Sequence, residues 1–163
     1  MASGKHCYLI ALGSNRRLPN VGSPRAVLDA AVAELGRQGW QVEAVSRWID
    51  SIPLGPSLRR YANGAAIIAG DLDPLGALEN LQSIEARFGR ERRGQRWRSR
   101  TLDLDIVLWN GGAWHSSRLT VPHPQFRQRS FVLGPCAEIA PKWRDPVSGW
   151  TVRQLAKRTF SQA

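Results

Sequence analysis

Apolar positions along the chain recur with two spacings, one typical of strands and one typical of helices. Short apolar runs or strict alternation predict four strands, at residues 7–12, 42–49, 61–69 and 101–108. Apolar residues three and four positions apart predict two helices, which begin at Pro24 and Pro74 and end before Gly39 and Gly89. Gly13-Ser14-Asn15 lacks the Gly-Lys-Ser/Thr of a phosphate loop, so it predicts a tight turn after the first strand.

The order of these elements predicts the fold class. The sequence β-α-β-β-α-β is typical of an α+β, ferredoxin-like core with a mainly antiparallel sheet. Residues 110–163 add short strands near Leu119, a helix from Ser130 and a last helix after Thr151. These helices are expected to cover the second face of the sheet, which gives three layers with helices on both faces. No repeat or linker divides the chain, so residues 1–163 are expected to form a single domain.

Composition adds a strong positive charge to this picture. Hydrophobic residues make up 42% of the 163 residues and charged residues 22%, which is ordinary for a globular protein, but the net charge is +10. Such an excess attracts polyanions, either a nucleic acid or a small phosphorylated ligand. The lysines are Lys5, Lys142 and Lys157, so arginine carries most of the charge, which favours bidentate binding of phosphate.

The remaining composition predicts a cytoplasmic protein. Cys7 and Cys136 are too few for a disulfide framework and fit a reducing compartment. No apolar run has the length of a membrane-spanning helix, and the first residues lack the apolar region of a signal peptide.

Two carboxylates at alternate positions of the fourth strand are the first candidate site. Alternation places Thr101, Asp103, Asp105 and Val107 on one face and Leu102, Leu104, Ile106 and Leu108 on the other. Cβ atoms at i and i+2 lie about 7 Å apart, a separation at which ionised carboxylates repel unless a cation lies between them or each is solvated. Taken alone, such a pair fits a solvated strand face as well as a metal site.

An arginine-rich segment immediately precedes the two acids. Residues 90–100 contain six arginines and Trp97. Carboxylates bind Mg²⁺ and guanidinium groups bind phosphate oxygens, so the combination favours a divalent metal and a polyphosphate. The same segment alone would also suit a solvated surface or a nucleic-acid patch.

The chain resembles the 6-hydroxymethyl-7,8-dihydropterin pyrophosphokinases of folate biosynthesis. The resemblance extends from about Tyr8 to Pro146, and the spacing of its last motifs makes it specific. Its motifs are Ala11-Leu12-Gly13-Ser14-Asn15, Pro53-Leu54-Gly55-Pro56, Ile84-Glu85 with Gly89-Arg90, Arg100-Thr101-Leu102-Asp103-Leu104-Asp105, Val121-Pro122-His123-Pro124 and Arg129-Ser130-Phe131-Val132-Leu133.

The resemblance implies a reaction and a set of site residues. The diphosphate of ATP is transferred intact to the hydroxymethyl oxygen of the pterin, and AMP is released. Asp103 and Asp105 would hold two Mg²⁺ ions. The catalytic positions implied are Arg90, Arg92, Arg100, Asp103 and Asp105. The nucleotide contacts implied are Gln82, Glu85, Trp97, the backbone of Ile106, Arg118, Thr120, His123 and Arg129. Gln82 and Glu85, three residues apart, are expected to share the solvent-facing side of their helix.

For the pterin, the resemblance implies stacking between two aromatic rings and polar contacts at the edge of the heterocycle. The residues implied are Ser51, Leu54, Tyr61, Asn63 and Phe131. The chain departs from the family pattern at Ser51-Ile52-Pro53 and at Arg59 and Arg60, so a diverged enzyme acting on a modified pterin is one alternative.

Two further alternatives come from other functional classes. One is an RNA-binding ferredoxin-like module, although Asp103 and Asp105 would repel phosphate on its binding strand unless a metal is bound. The other is a metal-dependent nucleotidyltransferase or phosphotransferase, which would release pyrophosphate or ADP in place of AMP. We expect ATP and the pterin as partners, no nucleic acid or membrane, and a monomer without an obligate protein partner.

Overall fold

The strands and helices follow one another in the predicted order, except that one predicted strand is divided into two. The computed structural model describes residues 5–51, 61–89 and 101–161. Its first elements are β1 (His6–Ser14), α1 (Pro24–Arg37), β2 (Gln41–Val45), β3 (Ile49–Ser51), β4 (Tyr61–Gly70), α2 (Pro74–Arg87) and β5 (Asp103–Trp109). They are followed by β6 (Trp114–His115), β7 (Thr120–Val121), a 3₁₀ turn (Phe126–Gln128), α3 (Ser130–Ile139) and α4 (Val152–Ser161).

The two predicted helix starts are confirmed and share one mechanism. The Ser23 hydroxyl accepts a hydrogen bond from the Ala26 N–H at 3.3 Å, and the Asp73 carboxylate accepts one from the Gly76 N–H at 2.9 Å. Each helix then begins with a proline, whose missing N–H costs nothing at the first helical position. Local sequence alone therefore determines where α1 and α2 begin.

The main sheet is antiparallel, with strand order β2-β4-β1-β5, and β3 also pairs with β4. β1 is central: it pairs with β4 along its whole length and with β5 from Tyr8 to Gly13. The predicted tight turn at Gly13 is wrong, because Gly13 and Ser14 still belong to β1 and pair with Asn63 and Ala62 of β4. Pairing with a neighbouring strand keeps these two residues extended, and the local sequence does not reveal that partner.

The predicted strand over residues 42–49 is two strands. At Ser46 the backbone N–H donates to the Ala65 carbonyl, while the Ser46 hydroxyl accepts from the Ala65 N–H at 2.8 Å. The Ser46 hydroxyl thus takes the place of a backbone carbonyl as the acceptor for the Ala65 N–H. Pairing with β4 resumes at Ile49. Trp48 fills the space above Gly64, where a Cβ atom would lie 2.2 Å from the indole ring.

Helices cover both faces of the sheet. On one face, α1 and α2 pack against alternate residues of β1, among them Tyr8, Ile10 and Leu12. On the other face, α3 and α4 pack around Leu9 and Val107. The expectation that the C-terminal helices cover the second face is confirmed. None of the helices in the described ranges is long and apolar enough to cross a lipid bilayer.

A β-bulge in β5 changes the predicted faces. Leu9 pairs with Leu108 but Ile10 pairs with Ile106, so Val107 is an extra residue. Strict alternation placed Leu108 on the face of Ile106. This prediction is wrong, because Val107 and Leu108 are both buried in the cluster under α3 and α4. The Val107 carbonyl accepts a hydrogen bond from the His123 N–H at 3.1 Å.

A buried ion pair fixes the C-terminal layer. Asp145 is fully buried and accepts from the Arg127 guanidinium at 2.5 and 2.7 Å, from the Ser148 hydroxyl at 2.7 Å and from the Val147 N–H at 3.0 Å. Burial by itself would raise the pKa of Asp145, but these hydrogen bonds outweigh it and lower the pKa to about 2.

We predict that Asp145→Asn lowers the free energy of unfolding by about 3 kcal/mol, because it leaves the Arg127 charge without its partner. Since the pKa of Asp145 is lower in the folded state, its stabilisation is full above about pH 4 and is lost as the pH falls toward 2. Urea titrations from pH 2 to 7 measure both effects. Asp50→Asn is the control, because the half-exposed pair of Asp50 with Arg25 should contribute less than about 1 kcal/mol. Equal losses in the two variants would contradict the prediction.

Candidate active site

A cavity of about 210 Å³ opens beside α3, where β1 ends and the antiparallel strands β4 and β5 begin. Directly opposed residues of antiparallel strands point to the same face, so Gly13 of β1 lies between Asn63 of β4 and Asp103 of β5. The lining residues in the described ranges are Ala11, Leu12, Gly13, Ser51, Tyr61, Asn63, Asp103, Asp105, Arg129, Phe131 and Val132.

The size of side chains along β1 explains the cavity. On the face toward α3, the residues become smaller toward the end of the strand, from Leu9 through Ala11 to Gly13. Leu9 fills the core under α3, whereas Ala11 and Gly13 leave the space above them open. A Cβ atom at Gly13 would lie 3.1 Å from Nδ2 of Asn63, closer than most side-chain contacts.

Asp103 and Asp105 project into this cavity from β5. They pair with Gly13 and Ala11, neither of which has a side chain large enough to cover them. Within the described ranges no three His, Cys, Asp or Glu residues form a cluster that could hold a metal ion. Two half-buried carboxylates suit Mg²⁺, which usually takes one or two protein carboxylates and completes its coordination with water and phosphate oxygens. The donor set therefore fits a metal bound together with a polyphosphate.

Two aromatic rings and two polar side chains form the remaining walls. Tyr61 from β4 and Phe131 from α3 both line the cavity. The Ser51 hydroxyl donates to the Asn63 side-chain carbonyl, and Asn63 is only 7% exposed. This bond orients the amide so that its NH₂ group lies beside Gly13. The cavity thus combines flat apolar surfaces with a fixed hydrogen-bond donor.

His123 and Arg129 border the carboxylates. Nδ1 of His123 accepts from the Gln125 N–H at 3.1 Å, so the neutral ring carries its proton on Nε2. Burial lowers the pKa of His123; Asp105 opposes this shift and Arg129 adds to it. The Arg129 guanidinium lies 5.8 Å from the centroid of the Phe131 ring and also donates to the Gln125 side chain. Arg129 therefore supplies positive charge at the mouth of the cavity.

Comparison with known proteins places the chain in one family. The family model for 7,8-dihydro-6-hydroxymethylpterin-pyrophosphokinase matches residues 9–141. The chain belongs to this family. The 2-amino-4-hydroxy-6-hydroxymethyldihydropteridine pyrophosphokinase of Synechocystis sp. is 41% identical over 154 residues, which cover 94% of this chain and 76% of that protein. The enzyme of the same name from Pseudomonas aeruginosa is 42% identical over 139 residues, or 84% of this chain and 82% of that protein.

Solved structures support the fold. The crystal structure of Plasmodium falciparum HPPK-DHPS superposes with a TM-score of 0.74 at 13% sequence identity. The match covers 97% of this chain and 42% of the solved chain, so this pyrophosphokinase-family chain corresponds to less than half of that protein.

Several predicted contacts of this pyrophosphokinase-family chain lie outside the cavity lining. Arg118 forms an ion pair with Glu79 of α2 at 2.9 Å, and the Thr120 hydroxyl lies 3.5 Å from Nδ1 of His115. The side chain of Ile106 is buried in the core under α1 and α2. The remaining predicted positions, Leu54, Arg90, Arg92, Trp97 and Arg100, lie outside the described residues.

The prediction that Gln82 and Glu85 share one solvent-facing side of α2 is wrong. Gln82 is exposed, whereas Glu85 is 5% exposed and its carboxylate accepts from the Leu104 N–H at 2.9 Å. Residues three apart differ by about 60° around a helix, so one of them can point inward when a partner is available there. The backbone N–H of Leu104 in β5 provides this partner.

Four residues of the cavity lining received no site role from the sequence: Ala11, Leu12, Gly13 and Val132. Ala11 and Gly13 line it because they are small, and they lie in the Ala11-Leu12-Gly13-Ser14-Asn15 motif that carries part of the family resemblance. The decreasing size from Leu9 to Gly13 was visible in the sequence. It becomes meaningful only when these residues are known to face α3 on a central strand.

Proposed function

We propose that this chain transfers the diphosphate of ATP to the hydroxymethyl group of 6-hydroxymethyl-7,8-dihydropterin, a step of folate biosynthesis. The pterin oxygen forms a bond to the β-phosphorus, the bond from that phosphorus to the α,β-bridging oxygen breaks, and AMP leaves. The observation that carries this proposal is one cavity lined by two carboxylates, two aromatic rings and a buried amide, in a chain of the pyrophosphokinase family.

On the pterin side, we assign the ring to the space between Tyr61 and Phe131. Offset stacking on each aromatic contributes about 1 kcal/mol beyond the buried area. Asn63 and Ser51, with the backbone near Ser51 and Leu54, would bind the polar edge of the heterocycle. Asn63 suits this role because the hydroxyl of Ser51 already occupies its carbonyl oxygen, which leaves the NH₂ group to donate.

On the ATP side, we assign two Mg²⁺ ions to Asp103 and Asp105, where the metal, when bound, would neutralise the phosphate oxygens. Arg129, together with Arg90, Arg92 and Arg100, would bind those oxygens through guanidinium groups. The other nucleotide contacts that we propose are Gln82, Glu85, Trp97, the Ile106 backbone, Arg118, Thr120 and His123. His123 fits as a neutral donor through Nε2, because its Nδ1 is already an acceptor.

The residues of this site act by alignment and charge. Transfer of a phosphoryl-type group needs little covalent chemistry from the protein, and most of the acceleration comes from positioning and preorganised electrostatics. We assign no general base. Phe131 and Val132 give one side of the cavity an apolar surface, which suits a flat heterocyclic ring.

We further infer that residues 1–163 form one domain with a ferredoxin-like core, and that the protein is a cytoplasmic monomer. Strand order β2-β4-β1-β5 supports the ferredoxin-like assignment, and two free thiols suit a reducing compartment. The family membership does not favour the RNA-binding module, the nucleotidyltransferase or the diverged enzyme with a modified pterin.

Product analysis tests the reaction. With Mg²⁺, ATP and 6-hydroxymethyl-7,8-dihydropterin, we expect one AMP for each diphosphorylated pterin and no AMP without the pterin. Anion-exchange chromatography separates AMP, ADP and pyrophosphate. Formation of ADP or pyrophosphate would contradict the proposal, and so would AMP formation that does not depend on the pterin.

Replacement of either cavity carboxylate should abolish turnover without unfolding the protein. We expect Asp103→Ala and Asp105→Ala to lower pterin-dependent AMP formation by about 100-fold or more, the scale of removing one preorganised electrostatic group. Folding should persist, because the two half-buried acids repel each other. Asp71→Ala, at an exposed position before α2, is the matched control and should retain full activity. Near-wild-type turnover in either cavity variant would refute the assignment.

A methyl group at Gly13 should weaken pterin binding selectively. Gly13→Ala places Cβ 3.1 Å from Nδ2 of Asn63, so the amide must move away from its position. We expect roughly a tenfold higher Kd for the pterin, equivalent to about 1.4 kcal/mol, with ATP binding unchanged. Calorimetry measures both. Gly36→Ala in α1 is the control, because nothing beyond its chain neighbours and the backbone of its own helix lies within 4 Å of the added methyl group. Equal loss of pterin and ATP affinity would contradict this prediction.

A further inference from the structure

Glu85 makes an unusual contact with the strand that carries the two cavity carboxylates. Its side chain is 5% exposed, and Oε2 accepts a hydrogen bond from the backbone N–H of Leu104 at 2.9 Å. Leu104 is the residue between Asp103 and Asp105. The hydrogen bond therefore holds the peptide backbone between the two acids.

The position of β5 in the sheet explains why this contact is available. Among the described strands of the main sheet, β5 pairs with β1 alone and forms an edge. Backbone groups of an antiparallel strand point alternately toward and away from the neighbouring strand. Because the Leu104 N–H is directed at Glu85, the backbones of Asp103 and Asp105 face β1, where they pair with Gly13 and Ala11. The carboxylate thus replaces the missing neighbouring strand at one position of the edge.

The helix that carries Glu85 is held firmly in place. Leu81 and Ile84 of α2 are fully buried in the core, and Arg87 at its last turn donates to Glu34 of α1 at 3.1 Å. Glu85 therefore presents its oxygen from a fixed support. A strand edge without such an acceptor would have a buried, unsatisfied N–H or would shift to satisfy it.

We propose that Glu85 is a positioning residue, which fixes the β5 backbone at Leu104 and thereby sets the direction of Asp103 and Asp105 into the cavity. This inference rests on the proposed function, in which those two acids hold the metal. It adds a second role to the nucleotide contact that the family resemblance implies for Glu85. In this role the reach of the side-chain oxygen matters, because the backbone N–H of Leu104 needs an acceptor at hydrogen-bond distance.

Two conservative variants separate reach from charge. Glu85→Gln keeps a side-chain oxygen at the same distance from the backbone and removes the charge. Glu85→Asp keeps the charge on a side chain that is shorter by one methylene. We expect Glu85→Gln to keep the wild-type exchange rate of the Leu104 amide. In Glu85→Asp we expect Leu104 amide exchange to be at least tenfold faster and the half-saturating Mg²⁺ concentration for AMP formation to rise about tenfold.

Two readouts and one control complete the experiment. Hydrogen exchange at the Leu104 amide is followed by NMR without ATP or metal, so it does not depend on activity. Binding of Mn²⁺ with a non-hydrolysable ATP analogue reports the metal site without turnover. Ile84→Val removes one methylene from the same buried turn of α2 and leaves the Glu85 carboxylate in place, and it should change neither readout.

The outcomes distinguish this inference from the proposed function. Weaker Mn²⁺ binding and faster Leu104 exchange in Glu85→Asp, with slow Leu104 exchange retained in Glu85→Gln, would support positioning. Wild-type exchange in Glu85→Asp would overturn it. So would fast Leu104 exchange in Glu85→Gln, because that variant keeps an oxygen at the position of the acceptor. Absence of AMP formation by the wild type would overturn the proposed function alone.

Discussion

The pairing of β1 with strands on both of its edges is the constraint on which the candidate site depends. Register places Gly13 directly between Asn63 and Asp103, so that an amide, a glycine and a carboxylate occupy one row across three strands. A shift by one residue in either ladder would turn Asn63 or the acids toward α1 and α2. The hydrogen bonds of the sheet thus determine which side chains meet in the cavity.

The alternation of side chains along β1 separates the residues that pack in the main core from those that line the cavity. On β1, the residues facing α1 and α2 are large and build the main core, whereas those facing α3 become smaller toward Gly13 and leave the cavity open. One face of β1 therefore stabilises the fold, and the other face lines the candidate site. α3 closes the functional side with Phe131 and Val132, and its own burial against β4 fixes their positions.

Polar groups on the free edge of β5 connect the sheet to the surrounding elements. The Leu104 N–H donates to Glu85, and the carbonyl of the bulged Val107 accepts from His123. Backbone groups on the edge of a sheet need hydrogen-bond partners. Here the partners are Glu85 and His123, two residues that the family resemblance places near the nucleotide. The same hydrogen bonds that close the edge therefore hold these side chains next to Asp103 and Asp105.

The sequence by itself determined the helices, the strands and the pair of carboxylates. Ser23 and Asp73 followed by prolines define the starts of α1 and α2 locally, and the alternation through Asp103 and Asp105 requires only a strand. Tertiary structure decided the rest. The break at Ser46, the bulge at Val107 and the inward direction of Glu85 each depend on a partner distant in sequence: Ala65, Leu9 and Leu104. Local propensity contains no information about such partners, because the hydrogen bonds that select these conformations exist only after the strands have paired.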